Sequence, residues 1–336
     1  MSWKSIAGAA CLATLASVLA GCSKDADPTQ IATTRASSDA SSETERQPAR
    51  AAQGASAALP ASTPLAERLD CLREAGGVLV VAHRGGPNRN HPENAIETFE
   101  RAFRAGALGM EIDIAQSRDG VLFLMHDDDL ERTTTGEGLV GETDWTDIES
   151  LNLETYSRET SFHPPTLDAA LDWAVSNRAL VELDKKRSTS LDAILDAVEA
   201  HKAANNVLFI TYTDDQAVEA HQRSADIVIT ASVDSLAHLD RLLARGVDPE
   251  RLVAWAGTEH PDPDLWRDLR ARGVEVAFGT LGPYGSRFDD VYWADDDGTE
   301  YRDLVDEGVS LIATDLSDKV SRVLEEDQDK ARTCGF

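Results

Sequence analysis

The sequence predicts an α/β protein, a (β/α)₈ barrel with a β-hairpin extension after the second strand. Three observations predict it. Apolar bursts of strand length recur eight times between Val78 and Thr314. Each burst is continuous rather than alternating, as in strands buried on both faces, and helical patterns fill the gaps between them. Eight such units in about 265 residues match the size of this barrel. An open doubly wound sheet is the alternative, and no glycine-rich dinucleotide fingerprint follows the first strand to support it.

Taken in order, Val78–His83 is an apolar run that ends on a polar pair, and Ala95–Ala105 follows with helical spacing. Met110–Ala115 is the second strand. Val121–His126 is a ninth run, and the five residues Gln116–Gly120 cannot hold a crossover helix, so this run must return as a hairpin. Asp119-Gly120 is a favoured two-residue turn and would set Asp113 opposite His126; a four-residue turn would set Glu111 there instead. Thr166–Ser176 is helical and leads to the third barrel strand, Leu180–Asp184. Leu191–Ala203 then precedes Val207–Tyr212, and Ile227–Ala231 follows. Ser235–Ala244 precedes Leu252–Ala256, and Leu265–Arg272 precedes Val274–Phe278. Val309–Thr314 closes the set, followed by a helix over about Leu316–Lys330.

The chain has 32 Lys+Arg against 60 Asp+Glu, a net charge of −28, so general nucleic-acid binding is excluded. An anionic substrate would need a metal ion or a local basic group to offset this field. The apolar run Ile6–Val18 is too short to span a bilayer and long enough for a signal-peptide core. Leu19-Ala20-Gly21-Cys22 after it resembles the lipobox of bacterial lipoproteins. That resemblance implies a signal peptide over 1–21, lipidation of Cys22, and a lipid-anchored protein of the cell envelope, on the outer membrane facing the periplasm. Residues 22–63 are rich in Ala, Ser, Thr and Pro and read as a disordered tether, with the catalytic domain over 64–336. Cys71 and Cys334 remain as an even pair in an oxidising compartment. The barrel places Cys71 below the first strand and Cys334 after the last helix, so a disulfide beside the closing seam is expected; two separate buried thiols are the alternative.

His83-Arg84 at a strand end puts a proton-transfer group and a fixed cation at the barrel mouth. Glu111 and Asp113, at i and i+2, share one face of a strand and call for a cation. Hard oxygen ligands favour Mg²⁺ or Ca²⁺. Glu182 ends the third barrel strand as a further ligand, and His126-Asp127 returns on the hairpin. Singly, each has a structural reading; three converging elements point to a site.

The segments AHRG (Ala82–Gly85), PENA-x₃-F (Pro92–Phe99), MEID (Met110–Asp113) and SRDG-x₅-HD (Ser117–Asp127) resemble the glycerophosphodiester phosphodiesterases. So do Leu130–Thr134, Thr166-Leu167, Val181–Leu183, Gly308-Val309 and Thr314-Asp315. The resemblance implies a TIM barrel and metal-dependent hydrolysis of a glycerophosphodiester to glycerol 3-phosphate and an alcohol. It implies His83 and His126 as the acid/base pair, Glu111, Asp113 and Glu182 as ligands of Ca²⁺ or Mg²⁺, Arg84 as a phosphate-binding residue, and Glu93 at the rim. The partner it implies is a small-molecule diester; the membrane enters only through the anchor. One departure stands out. The family's Lys two residues after the third glutamate is Asp184 here, and two readings are open: Lys186, on the same face, substitutes at the substrate, or Asp184 adds a fourth carboxylate. A lysophospholipase D or sphingomyelinase D reading, and a non-catalytic phospho-ligand-binding lipoprotein, are the competing functions. In the loop 279–300, Tyr284, Tyr292 and Trp293 either box a choline-like headgroup or pack as surface aromatics.

Overall fold

A computed structural model describes residues 58–60, 62–156, 158–187 and 189–336. The expected signal peptide, the expected lipidation at Cys22 and nearly all of the expected tether lie outside the described residues. In chain order the strands are β1 (Leu79–Ala82), β2 (Gly109–Gln116), β3 (Leu122–Leu124), β4 (Glu154–Thr155), β5 (Arg158–Glu159), β6 (Leu180–Lys185), β7 (Val207–Ile210), β8 (Val228–Ser232), β9 (Leu252–Trp255), β10 (Glu275–Gly279) and β11 (Leu311–Thr314). Eight of them are parallel neighbours in the order β1-β2-β6-β7-β8-β9-β10-β11, and β1 pairs with both β11 and β2, which closes the barrel. The (β/α)₈ architecture is therefore present, with β2–β3 as the hairpin extension.

The helices are α1 (Leu65–Ala75), α2 (Ile96–Arg104), α3 (Trp145–Ile148), α4 (Leu167–Asn177), α5 (Leu191–Ala200), α6 (Asp214–Arg223), α7 (Leu236–Ala244), α8 (Pro263–Ala271), α9 (Phe288–Tyr292), α10 (Glu300–Asp306), α11 (Ser317–Val323) and α12 (Glu325–Thr333). Five crossover helices begin where a side chain satisfies an orphan backbone N–H: Thr166, Ser190, Thr213, Ser235 and Asp262 accept from the residue three on. The terminal helix is split at Leu324, because the acidic run Glu325-Glu326-Asp327 is better placed at a new N-terminus than inside a continuing helix.

Strand alternation divides the core in two. Val80, Ala82, Ile112, Val181 and Ile229 point outward into the layer beneath the helices. Leu79, Val81, Leu180, Leu208, Val228, Val253 and Leu311 point inward, and Leu65, Leu69 and Leu72 of α1 plug the bottom of the barrel. Cys71 on α1 and Cys334 after α12 form a disulfide with Cα atoms 5.6 Å apart.

The hairpin register differs from both predicted ones. Ile114 faces Leu124, Ala115 faces Phe123 and Gln116 faces Leu122. The loop is thus the three residues Arg118-Asp119-Gly120. The Ser117 hydroxyl donates to Asp119 and accepts from the Val121 amide, while Gly120 takes the left-handed position at φ +92. This register sends Leu124 into the main core with Ile114 and puts Phe123 and Met125 in a separate cluster with Ala115 and Ile148.

Candidate active site

The inward parity of Leu79 and Val81 continues to His83, and that of Leu180 continues to Glu182 and Asp184. In the β2–β6 register Glu111 lies beside Glu182 and Asp113 beside Asp184. The strands therefore deliver four carboxylates to the C-terminal mouth of the barrel. Ligand oxygens of Glu111, Asp113 and Asp184 all lie within 4.8 Å of one another. Glu182, expected as the third ligand, lines the same cavity but is not in this tightest group; Asp184 is.

The cluster is buried and tightly held. Arg84 adopts the left-handed conformation at φ 50, which turns its backbone N–H onto Glu111 Oε2 at 2.8 Å. Asn94, also left-handed at φ 57, donates its amide to Asp113 Oδ2 at 2.7 Å and accepts from the Asp113 N–H. Lys186 donates to Asp113 Oδ1 at 2.5 Å and to Asp184 Oδ2 at 2.6 Å. Burial, then the charges of Asp113 and Asp184, push the Glu111 carboxyl well above its usual range. Burial also works on Asp113, but the Lys186 ammonium and the Asn94 amide outweigh it and hold Asp113 below its usual range. Burial pushes Glu182 up to about 7.

Both histidines are oriented by carboxylates. His83 Nδ1 bonds Asp315 at 2.7 Å, leaving Nε2 4.0 Å from Glu111. The second oxygen of Asp315 accepts from Arg287 at 2.5 Å and from the Gly282 N–H. Burial acts to raise Asp315, and the His83 hydrogen bond and charge bring it below the usual range. His126 Nδ1 bonds Asp127 at 2.6 Å. Arg132 grips Asp127 and pulls its carboxyl down to about 2. Arg132 also chelates Glu93 through two nitrogens at 2.7 and 2.9 Å. Glu93 bonds Arg84 at 3.1 Å, and the Arg84 Nε is 3.7 Å from Asp113. Glu93, expected at the substrate, thus has its carboxylate engaged by two arginines and sets the position of Arg84.

Above the carboxylates lies a cavity of about 200 Å³. Its acidic half is Glu111, Glu182 and Asp184 beside His83; its other half is Ile210, Tyr212, Trp255 and Leu281. Of the two readings of the loop 279–300, the packed one holds and no aromatic box forms. Tyr284 is exposed and stacks on Arg287, while Tyr292 packs on Phe288 and Tyr301, and Trp293 under Lys319.

The donor set suits a hard divalent cation. It is all carboxylate oxygen, and Asp184 Oδ1 is buried with no hydrogen-bond partner, which leaves it a free lone pair.

The model of the Glycerophosphoryl diester phosphodiesterase family matches residues 83–280, more than half of the chain. A glycerophosphodiester phosphodiesterase of Caldanaerobacter subterraneus subsp. tengcongensis is 45% identical over 74 residues, 22% of this chain and 30% of that protein. The aligned stretches span less than two thirds of the length of the curated relatives the chain matches. Among solved structures, a glycerophosphoryl diester phosphodiesterase from Parabacteroides distasonis superposes with a TM-score of 0.67 at 24% identity, covering 77% of this chain and 92% of that one. An Oleispira antarctica phosphodiesterase, solved with the product sn-glycerol-3-phosphate, superposes at 0.60 with 21% identity over 75% of this chain and 99% of that one.

Proposed function

Since the chain belongs to the glycerophosphoryl diester phosphodiesterase family, we propose that it hydrolyses glycerophosphodiesters to glycerol 3-phosphate and an alcohol, with a divalent cation and with His83 and His126 as the acid/base pair. The observation that carries this reading is the pair of carboxylate-oriented histidines at one acidic mouth. A binding module has no use for two imidazoles each fixed through Nδ1.

Glu111 and Asp113, with Asp184 or Glu182, would hold Ca²⁺ or Mg²⁺, which would stabilise charge on the non-bridging phosphate oxygens. Arg84 supplies a fixed cation beside them, and Glu93 and Arg132 hold it there. His83, pinned by Asp315, takes the proton from the neighbouring glycerol hydroxyl as that oxygen bonds to phosphorus. His126, nearer the rim, protonates the departing alcohol oxygen. The cyclic phosphate then opens by the reverse: His126 takes a proton from water, the water oxygen bonds to phosphorus, and His83 returns its proton to the glycerol oxygen. A substrate whose neighbouring glycerol hydroxyl is replaced by hydrogen tests this path: loss of turnover together with a cyclic phosphate detected from the normal substrate fits it, and undiminished turnover of the deoxy substrate refutes it.

The apolar half of the cavity favours a second reading within the same chemistry, cleavage of a lysophospholipid whose chain or headgroup rests on Ile210, Tyr212, Trp255 and Leu281. One assay separates the two. Glycerol 3-phosphate release from glycerophosphocholine or glycerophosphoethanolamine supports the first; turnover of lysophosphatidylcholine alone supports the second; no turnover of any returns the chain to the binding-protein reading. Lipid anchoring through Cys22 in the cell envelope is part of the proposal and is supported by the apolar run ahead of it. Loss of labelled fatty-acid incorporation in Cys22→Ser is the expected result, and retained labelling would overturn it.

A further inference from the structure

We propose that Lys186 is a built-in counter-ion that occupies the divalent-cation position when no cation is bound, and that cation binding drives it out toward the substrate's phosphate. The proposal rests on the reading that Glu111, Asp113 and Asp184 hold a divalent cation.

The Lys186 ammonium bridges Asp113 Oδ1 at 2.5 Å and Asp184 Oδ2 at 2.6 Å. These two carboxylates, with Glu111, are the group whose oxygens converge within 4.8 Å. An ammonium and a divalent cation cannot share them without strong repulsion across a buried, weakly screened site. Two other oxygens of this tight group are already engaged. Asp113 Oδ2 already accepts from Asn94, and Arg84 stands 3.7 Å away. Glu111 Oε2 accepts from the Arg84 backbone.

The position of Lys186 explains why the bridge exists. β6 ends at Lys185, and the Lys186 N–H bonds the Ile114 carbonyl of β2, which fixes its Cα at the mouth on the inward parity of Glu182 and Asp184. A long flexible stem can then point the ammonium down into the cluster or up into the cavity. In the protein without a cation, the downward station offsets carboxylates that would otherwise repel. With a cation present, that station becomes repulsive, and the next anion within reach is the substrate phosphate. Asp184 thereby serves two states, as the partner of Lys186 in one and an oxygen donor in the other. Its buried, unpartnered Oδ1 is the atom left for the second role.

Two measurements on the chelator-stripped full chain test this. In calorimetric titration with Ca²⁺ and with Mg²⁺, Lys186→Met should bind about tenfold or more tightly than wild type, the scale on which one adjacent charge shifts a carboxylate's occupancy. Lys186→Gln serves in its place if the Met variant does not fold. In wild type, acylation of Lys186 by an amine-reactive reagent, read by mass spectrometry, should rise severalfold on adding the cation, since the residue leaves a site where it is only 16% exposed. If wild type binds a cation and the variant binds equally or more weakly, or if labelling is unchanged or falls, Lys186 does not compete and this proposal alone is refuted. If wild type and variant both bind neither cation, the metal reading falls and takes the proposal with it.

Discussion

Asp315→Asn isolates the orientation of His83 from its presence. In the structure one oxygen of Asp315 faces His83 Nδ1 at 2.7 Å, while the other accepts from Arg287 at 2.5 Å and from the Gly282 amide at 3.3 Å. Those last two partners are donors only. The introduced carboxamide must therefore turn its oxygen toward Arg287 and Gly282, leaving its NH₂ against His83 Nδ1. The imidazole can satisfy that NH₂ only by carrying its own proton on Nε2, where a general base needs a lone pair. The side-chain shape is kept and the tautomer is inverted. The loss expected from a wrong tautomer at an otherwise intact site is about 10³- to 10⁴-fold in kcat with KM nearly unchanged. Steady-state glycerol 3-phosphate release from glycerophosphocholine, with folding checked by circular dichroism, measures it. A kcat within tenfold of wild type would refute the claim that the Asp315 bond sets the working tautomer of His83.

Other outcomes follow from the same structure. Removing the Cys71–Cys334 bridge, which spans a sequence separation of 263, should lower stability by about 5 kcal/mol on the chain-entropy model, and the melting temperature by roughly 10 °C. An unchanged melting temperature in Cys71→Ala/Cys334→Ala would contradict this. Native Glu182 keeps its proton up to about pH 7, whereas the unfolded group, at its ordinary 4.5, releases it earlier. The native state thus binds the extra proton between those values, and stability of the chelator-stripped protein should fall as pH rises through that window. The Glu182 share of this loss should reach about 3 kcal/mol by pH 8. The pH 5 to pH 8 difference read by urea unfolding should be smaller in Glu182→Gln than in wild type by that amount, with Glu111 and Glu275, also raised by burial, supplying the remainder. Trp255→Ala, which strips an aromatic face from the cavity wall, should raise KM for glycerophosphocholine roughly tenfold with less effect on kcat. Equal KM values would show that this wall does not meet the headgroup.

The barrel was legible because buried parallel strands are continuous apolar runs, and the candidate site was legible because polar groups interrupt those runs. His83 ends its run, while Glu111, Asp113 and Glu182 stand inside theirs as carboxylates in otherwise apolar strands. Asp315 ends its run too, as the residue after Leu311–Thr314, and the same reasoning would have put it at the mouth; its bond to His83, 232 residues away, needs the closed seam. The hairpin's existence followed from loop length, but its register turned on the Ser117 hydroxyl closing a three-residue loop, a side-chain choice that apolar patterning does not encode. Arg132 was visible only as part of a motif; its hold on both Asp127 and Glu93 depends on the hairpin folding back over the rim. The aromatic wall was missed because Tyr212 lies just past β7 and Trp255 ends β9, each unremarkable alone, while in the aromatic-rich loop that drew notice Tyr292 packs on Phe288 and Tyr301.

The central claim is that this mouth cleaves phosphodiesters with a divalent cation and two histidines. The direct test is glycerol 3-phosphate release by chelator-stripped protein with Ca²⁺, with Mg²⁺ or with neither, alongside His83→Ala and His126→Ala. The account predicts release that requires an added cation and is lost in both variants. Release that persists without a cation, or that survives either histidine substitution at near wild-type rate, would contradict it.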